Sequence, residues 1–359
     1  MLIIDAHLDL AWNALQWNRD LRLPAHTIRT LEAKTPGRGR ARGTVALPDM
    51  RRGWVALCFA TLLARSTGCP EPDLDYGSPA QAFGVARGQL AYYRALEALG
   101  AVRVVEDRPG LDAHWDAWVT WAEAEAIPGM EPPLGLVIAM EGADPILEPD
   151  DLVDWYAMGL RVLGLSHYGR GRYAGGTGTE RGLTDRGHAL LAHMAELGML
   201  LDLTHLSDVA FWEALDRYPG PVLASHTNAR ALVPHQRQFS DAQIRAIIER
   251  GGVIGVACDA WMLVPGWIQG PGSPEPATLD KVVAHIDHIC QLAGSSQHVG
   301  IGSDLDGGFG QEQSPRDLDT IADLQRIPAL LRERGYTEAD VAAIAHGNWL
   351  RLLRTGWSD

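Results

Sequence analysis

The chain has 359 residues, 46% of them hydrophobic, and a formal charge of −14 from 45 Asp and Glu against 31 Lys and Arg. That balance argues against nucleic acid as a partner, because phosphate backbones are bound by clustered Lys and Arg. No run approaches the roughly 18 apolar residues of a membrane span, and the length allows one large domain or two medium ones. The opening MLIIDAHLDL lacks the basic and apolar regions of a secretory signal, and the closing LLRTGWSD lacks a lipid-anchor tail. The expectation is a cytoplasmic protein without a membrane anchor. Cys58, Cys69, Cys258 and Cys290 form no C-x-x-C pair and read as reduced, structural thiols.

Short apolar runs recur at residues 2–6, 54–62, 134–140, 160–165, 199–203, 221–224, 252–257 and 298–302. Continuous Val/Ile/Leu runs of this length fit strands buried on both faces, as in parallel sheets. A further stretch, 101–105, reads as an extra strand or a loop. Amphipathic helices are predicted over 79–100, with Phe83, Leu90, Tyr93 and Leu96 on the apolar face, and over 184–197, capped by Thr184 and stopped by Gly198. Others are predicted over 240–250, stopped by Gly251, and over 278–293 and 318–334. Eight runs alternating with helices predict a (β/α)8 TIM barrel of the metal-dependent hydrolase type. An open doubly wound sheet is the runner-up, disfavoured because no Gly-x-Gly-x-x-Gly follows an early strand. No linker is visible. The expectation is therefore one domain over 1–359, with an insertion around 17–49 folding over the barrel mouth. Only the run 38–42 has a disorder-like composition.

Barrel active sites gather at the C-terminal ends of the strands. The runs here end in Asp5-Ala6-His7-Leu8-Asp9, Met140-Glu141-Gly142, Ser166-His167, Thr204-His205, Ser225-His226, Cys258-Asp259 and Ser303-Asp304-Leu305-Asp306. Singly, each has an ordinary structural explanation. Glu141 can cap a helix, a strand-end His can bond backbone, and Asp304 and Asp306 fit a polar loop. Jointly they exceed what a structural barrel needs, because buried imidazoles and carboxylates must be paired or bound to metal. His, Asp and Glu are zinc ligands. In His7-x-Asp9, alternation sends both side chains the same way. Glu141 has two oxygens with which to bridge two ions, and His205 and His226 are natural ligands for the second. Two metals about 3.5–4 Å apart can acidify a water for attack on a carbonyl. The other nine histidines, His26, His114, His188, His193, His235, His285, His288, His298 and His346, read as structural or exposed.

These residues sit in segments that resemble the membrane (renal) dipeptidase family, peptidase family M19. The segments are DAHLDL (5–10), MEGAD (140–144), LRVLGLSH (160–167), GLTDRG (182–187), LGMLLDLTHLS (197–207), ASH (224–226), HVGIGSDLDG (298–307) and HGNWLRLL (346–353). The resemblance implies a barrel with two zinc ions (Zn2+) that hydrolyses dipeptides bearing a free C-terminal carboxylate, with D-configured C-terminal residues among the open possibilities. It implies His7 and Asp9 on the first ion, His205 and His226 on the second, and Glu141 between them. His167 would contact substrate near the scissile carbonyl, and Asp304 would be the general acid/base. Arg237 would bind the substrate carboxylate, with Arg230 as the alternative. The loops 168–181 and 261–276 lie where selectivity would be set. The implied partner is a small dipeptide, and a homodimer is compatible with the reading. Rival classes are another amidohydrolase-like hydrolase, disfavoured by Asp9 where those use His, and a non-catalytic metabolite-binding barrel, disfavoured by the full set of ligands.

Overall fold

A computed structural model of the chain describes residues 1–124, 126–127, 129–270 and 272–357. Nine strands run in the order β1 (Ile3–Leu8), β2 (Val55–Leu63), β3 (Val102–Val104), β4 (Leu134–Glu141), β5 (Leu160–Gly164), β6 (Leu200–Asp202), β7 (Val222–Ala224), β8 (Val253–Val256) and β9 (Val299–Ile301). They pair in parallel in the spatial order β2-β1-β9-β8-β7-β6-β5-β4-β3, and β2 also pairs with β4. That last pairing closes eight strands into the expected (β/α)8 barrel. β3, the extra stretch, stays outside the ring. It pairs with the start of β4, and β5 pairs with its end.

The strands form because nearly every residue in them is apolar and enclosed. All nine positions of β2 are buried, as are all eight of β4. Helix starts follow side-chain capping. Ser78, Thr184, Ser207 and Ser240 each accept a hydrogen bond from the backbone N–H three residues on. Gly198 and Gly251 take left-handed φ values of 64° and 71° just after their helices. The helices predicted over 184–197, 240–250 and 278–293 are observed at Asp185–Glu196, Asp241–Glu249 and Leu279–Ala293. The first predicted helix ends two residues early, at Ala98. The prediction over 318–334 needs correcting. A capping box at Thr320 and Asp323 starts a 3-10 turn at Ile321, and the α-helix covers only Arg326–Glu333. Pro328 lacks the N–H needed to continue from that turn, but it fits the first turn of a new helix.

Two buried anchors fix the mouth. Asp5, inside the barrel, accepts from the backbone N–H (2.8 Å) and hydroxyl (2.5 Å) of Ser303 and from the His7 N–H (3.3 Å). The second anchor is Arg19, whose side chain is fully buried. It donates to Glu32 (2.9 and 3.0 Å), Asn13 Oδ1 (2.8 Å), the Gly39 carbonyl (2.6 Å) and Asp306 (3.2 Å). Asp306 also accepts from Thr44 N–H (2.7 Å), Thr44 hydroxyl (2.7 Å) and Val45 N–H (3.1 Å). The segment 17–49 is thereby clamped to the loop after β9. The disorder expected for 38–42 does not occur, because Glu32 collects Arg40 Nη1 (2.9 Å) and Ala41 N–H (2.9 Å) as well.

Removing one partner of a buried ion pair strands the others without compensation. Arg19→Met is expected to destabilise the fold by about 3–5 kcal/mol, read from urea unfolding. A loss below about 1 kcal/mol, typical of an exposed pair, would show that the clamp carries little stability.

Candidate functional site

The barrel gathers strand-end residues around one cavity of ≈ 630 Å³, lined among others by Asp9, Glu141, His167, His205, His226 and Asp304, and by Arg237 from the loop after β7. Glu141 sits between two groups. Its Oε2 is 3.7 Å from His7 Nε2, which is also 3.8 Å from both Asp9 Oδ2 and Asp304 Oδ1. Its Oε1 is 3.1 Å from His205 Nε2, 3.3 Å from His226 Nε2 and 3.8 Å from His167 Nε2. The Nε2 atoms of His205 and His226 are 3.2 Å apart. Ligands at 2.0–2.1 Å from a tetrahedral ion lie about 3.3 Å from one another. The His205–His226–Glu141 spacing matches that edge length, and the His7 group is slightly wider.

The outer ring nitrogens explain why these imidazoles present Nε2. The Thr177 hydroxyl donates to the His205 carbonyl (3.2 Å) and is therefore free to accept from His205 Nδ1–H (3.0 Å). Ser225 Oγ lies 2.9 Å from His226 Nδ1. Both rings keep an Nε2 lone pair for a cation. His167 has the opposite tautomer. Arg65 Nη1 is 3.3 Å from its Nδ1. A guanidinium only donates, so neutral His167 carries its proton on Nε2 and offers a donor to the cavity. Backbone strain marks the same place, since His205 and Asp304 hold left-handed φ values of 65° and 56°.

Electrostatics calls for a cation here. Among the described residues, His7 Nε2, Asp9 Oδ1 and Glu141 Oε1 are buried without a hydrogen-bond partner. Burial raises the Asp304 and Glu141 carboxyls, reinforced in each by the neighbouring Asp9. Burial works against a charged His7, yet Glu141, Asp9 and Asp304 together raise it to about 10. That proton stands where a metal would satisfy the same three carboxylates. Burial, then Arg237 or His7 nearby, drives His205 and His226 well below the usual imidazole range, leaving them neutral as ligation requires. Groups able to hold an ion are His7–Glu141–His226, Glu141–His167–His205 and His7–Asp9–Asp304. The donor set fits a metal.

Arg237 is buried against the cavity, donating through Nη2 to the His226 carbonyl (2.8 Å). Arg230 forks onto Asp208 at 2.9 and 2.7 Å and is not among the residues lining the cavity. None of the nine other histidines lines it either. Of the two loops expected to set selectivity, only Tyr168 in one and Trp261 and Met262 in the other reach the cavity, and residue 271 lies outside the described residues. Thr177 in the first loop braces His205 instead. The mouth is built from Trp12, Trp17, Arg38, residues 71–74 and residues 307–309. Sequence reasoning missed Arg65 because it sought His and carboxylates at strand ends. A lone Arg two residues past an apolar run was the available signal.

A family model described as membrane dipeptidase (peptidase family M19) matches residues 1–356. The crystal structure of the dipeptidase AC, a metallo peptidase of family M19, superposes with a TM-score of 0.76 at 28% identity, covering 100% of this chain and 99% of that one. A metallo peptidase from Rhodobacter sphaeroides, liganded with a phosphinate mimic of the dipeptide L-Ala-D-Ala, gives 0.76 at 26% identity, covering 99% of each. An uncharacterized protein in the pqqA 5' region of Klebsiella pneumoniae is 34% identical over 233 residues, 62% of this chain and 83% of the relative. The matches to curated dipeptidases span about half of those proteins' length.

Ligation requires His7 and Glu141 to shed protons that burial and neighbouring charges hold on. Zinc affinity is therefore expected to rise with pH, by up to about tenfold per unit while a single proton is displaced. Saturating metal, at about 1,000 times Kd, is expected to stabilise the fold by about 4 kcal/mol. Competition titration with a chelating dye between pH 6 and 9 and calorimetric melting check both. An affinity flat across that range contradicts the assignment of His7.

Proposed function

The chain belongs to the membrane dipeptidase family, peptidase family M19, a family of metallo-dipeptidases, and from that premise we propose that it cleaves dipeptides with a free C-terminal carboxylate using two zinc ions. The observation that carries the reading is the division of Glu141, with one oxygen toward His7 and the other toward His205 and His226. His7 and Asp9 would hold one ion and His205 and His226 the other, with Glu141 within reach of both groups. Imidazole and carboxylate donors with no thiolate suit zinc without excluding other divalent ions. When bound, the pair supplies Lewis acidity and a water acidified to near neutral pH.

The chain's own groups do the rest. Arg237 receives the α-carboxylate, and its position in an enclosed cavity limits substrates to two residues. His167, with its proton on Nε2, donates to the oxyanion that develops on the scissile carbonyl. Asp304, lining the cavity 3.8 Å from His7 Nε2, takes a proton from the attacking water and returns it to the leaving amine. The Rhodobacter relative's ligand, a mimic of L-Ala-D-Ala, supports including D-configured second residues. No helix among the described residues is long and apolar enough to cross a membrane. The four unpaired cysteines support a reducing compartment, the cytoplasm.

Asp304→Asn is expected to retain metal and to lower kcat by about 10²–10⁴-fold, the range for general acid–base groups. Unchanged turnover in a metal-replete variant would remove Asp304 from the proton path. Arg237→Met is expected to raise KM for free dipeptides and to leave their C-terminal amides at their low wild-type rate. Steady-state kinetics on L- and D-configured Ala-Ala, with metal analysis of each preparation, decide both.

A further inference from the structure

Asp259 is a cavity carboxylate that the mechanism above does not use. It lies three residues beyond β8, is 6% exposed, and shares the cavity wall with Arg237. Its Oδ1 accepts a hydrogen bond from Gln313 Nε2 at 2.8 Å, the indole and backbone N–H of Trp261 also face the carboxylate, and it makes no ion pair among the described residues. The other cavity carboxylates are all answered. Glu71 pairs with Arg65 at 2.9 Å, Asp73 is open to water, and Asp9, Glu141 and Asp304 converge on the metal site. The nearest cation to Asp259 is held off. Arg38 Nη2 donates to Gln313 Oε1 at 2.6 Å, so the Gln313 amide separates guanidinium from carboxylate. Burial pushes the Asp259 carboxyl up to about 7. An enclosed carboxylate with no counter-charge is unfavourable unless something positive arrives from the cavity.

The position of Asp259 is fixed relative to Arg237. Asn228, in the loop that carries Arg237, donates to the carbonyls of Ala257 and Met262 (both 3.2 Å) and accepts from the Ala257 N–H (2.9 Å). This stitches the loop after β7 to the loop after β8. An anion receptor and a cation receptor therefore stand on neighbouring strands of one wall.

We propose that Asp259 is the receptor for an ammonium or guanidinium group of the substrate, supplied by a basic side chain on the C-terminal residue. Choosing that residue rests on Arg237 holding the α-carboxylate, which brings the adjoining side chain to the β8 wall. A basic group there gives Asp259 the partner it lacks, and the Gln313 amide orients the carboxylate toward it.

The test compares kcat/KM of the zinc-loaded wild-type enzyme and its Asp259→Asn variant on Ala-Lys, Ala-norleucine, Ala-Ala and N-acetyl-Ala-Ala. Wild type is expected to prefer Ala-Lys over Ala-norleucine, which has the same carbon chain without the ammonium, by about tenfold, equivalent to about 1.4 kcal/mol, and Asp259→Asn to bring that ratio near one. If the variant instead loses selectively on Ala-Ala relative to N-acetyl-Ala-Ala, Asp259 is still a cation receptor but the cation is the free α-ammonium. Equal ratios in wild type and variant across all four substrates overturn the proposal. Asp259→Ser gives the same comparison if the Asn variant does not fold. An unchanged KM in Arg237→Met would overturn the carboxylate assignment separately, because the Lys-to-norleucine ratio reads Asp259 alone.

Discussion

Three carboxylates, Asp9, Glu141 and Asp304, are held around one imidazole in a place that water barely reaches. Like charges so close cannot all ionise without a cation among them. Those carboxylates raise the His7 imidazole toward its charged form, just as they would favour a cation placed there. The architecture around the mouth answers this constraint. Thr177 and Ser225 turn two imidazoles so that their lone pairs face inward, and Arg65 turns a third so that its proton does. The site is a set of mismatched electrostatic demands that a bound metal would satisfy.

The barrel makes such a concentration tolerable. Its eight strands contribute a continuous apolar interior, so the unfavourable charges are confined to one rim while stability comes from the enclosed layers below. His205 and Asp304 occupy left-handed backbone there, which side chains other than glycine seldom adopt. Both are held by neighbours. The Thr177 hydroxyl bonds the ring and carbonyl of His205. Asp304 sits between Ser303, tied to Asp5, and Asp306, tied to Arg19 and Thr44.

Much of this was legible in the sequence. The eight apolar runs announced the barrel because parallel strands enclosed on both faces have no polar alternation to confuse with anything else. The strand-end His and carboxylates announced the site because their residue types are expensive to bury without purpose. The interatomic spacing of Glu141, His205 and His226 and the pairing of Arg230 with Asp208 away from the cavity needed coordinates, since each depends on side-chain direction. Asp306 looked equivalent to Asp304 in Ser303-Asp304-Leu305-Asp306, yet it faces away and binds Arg19. A single loop residue, Leu305, separates a group facing the cavity from a structural anchor, and no periodicity in a loop predicts which is which. Arg65 and Asp259 lay in view at strand ends but had no motif to single them out.

The bond between Asp5 and Ser303 joins positions 298 residues apart, and Arg19 meets Asp306 across 287. Both contacts flank the metal-binding rim, so Asp304, its last member in sequence, waits for the end of the chain. During synthesis His7 and Asp9 emerge first and remain separated from Asp304 until β9 closes the ring. Closing so long a loop is slow. A growing chain consequently lacks the Asp304 side of its centre, which arrives only with completion of the barrel.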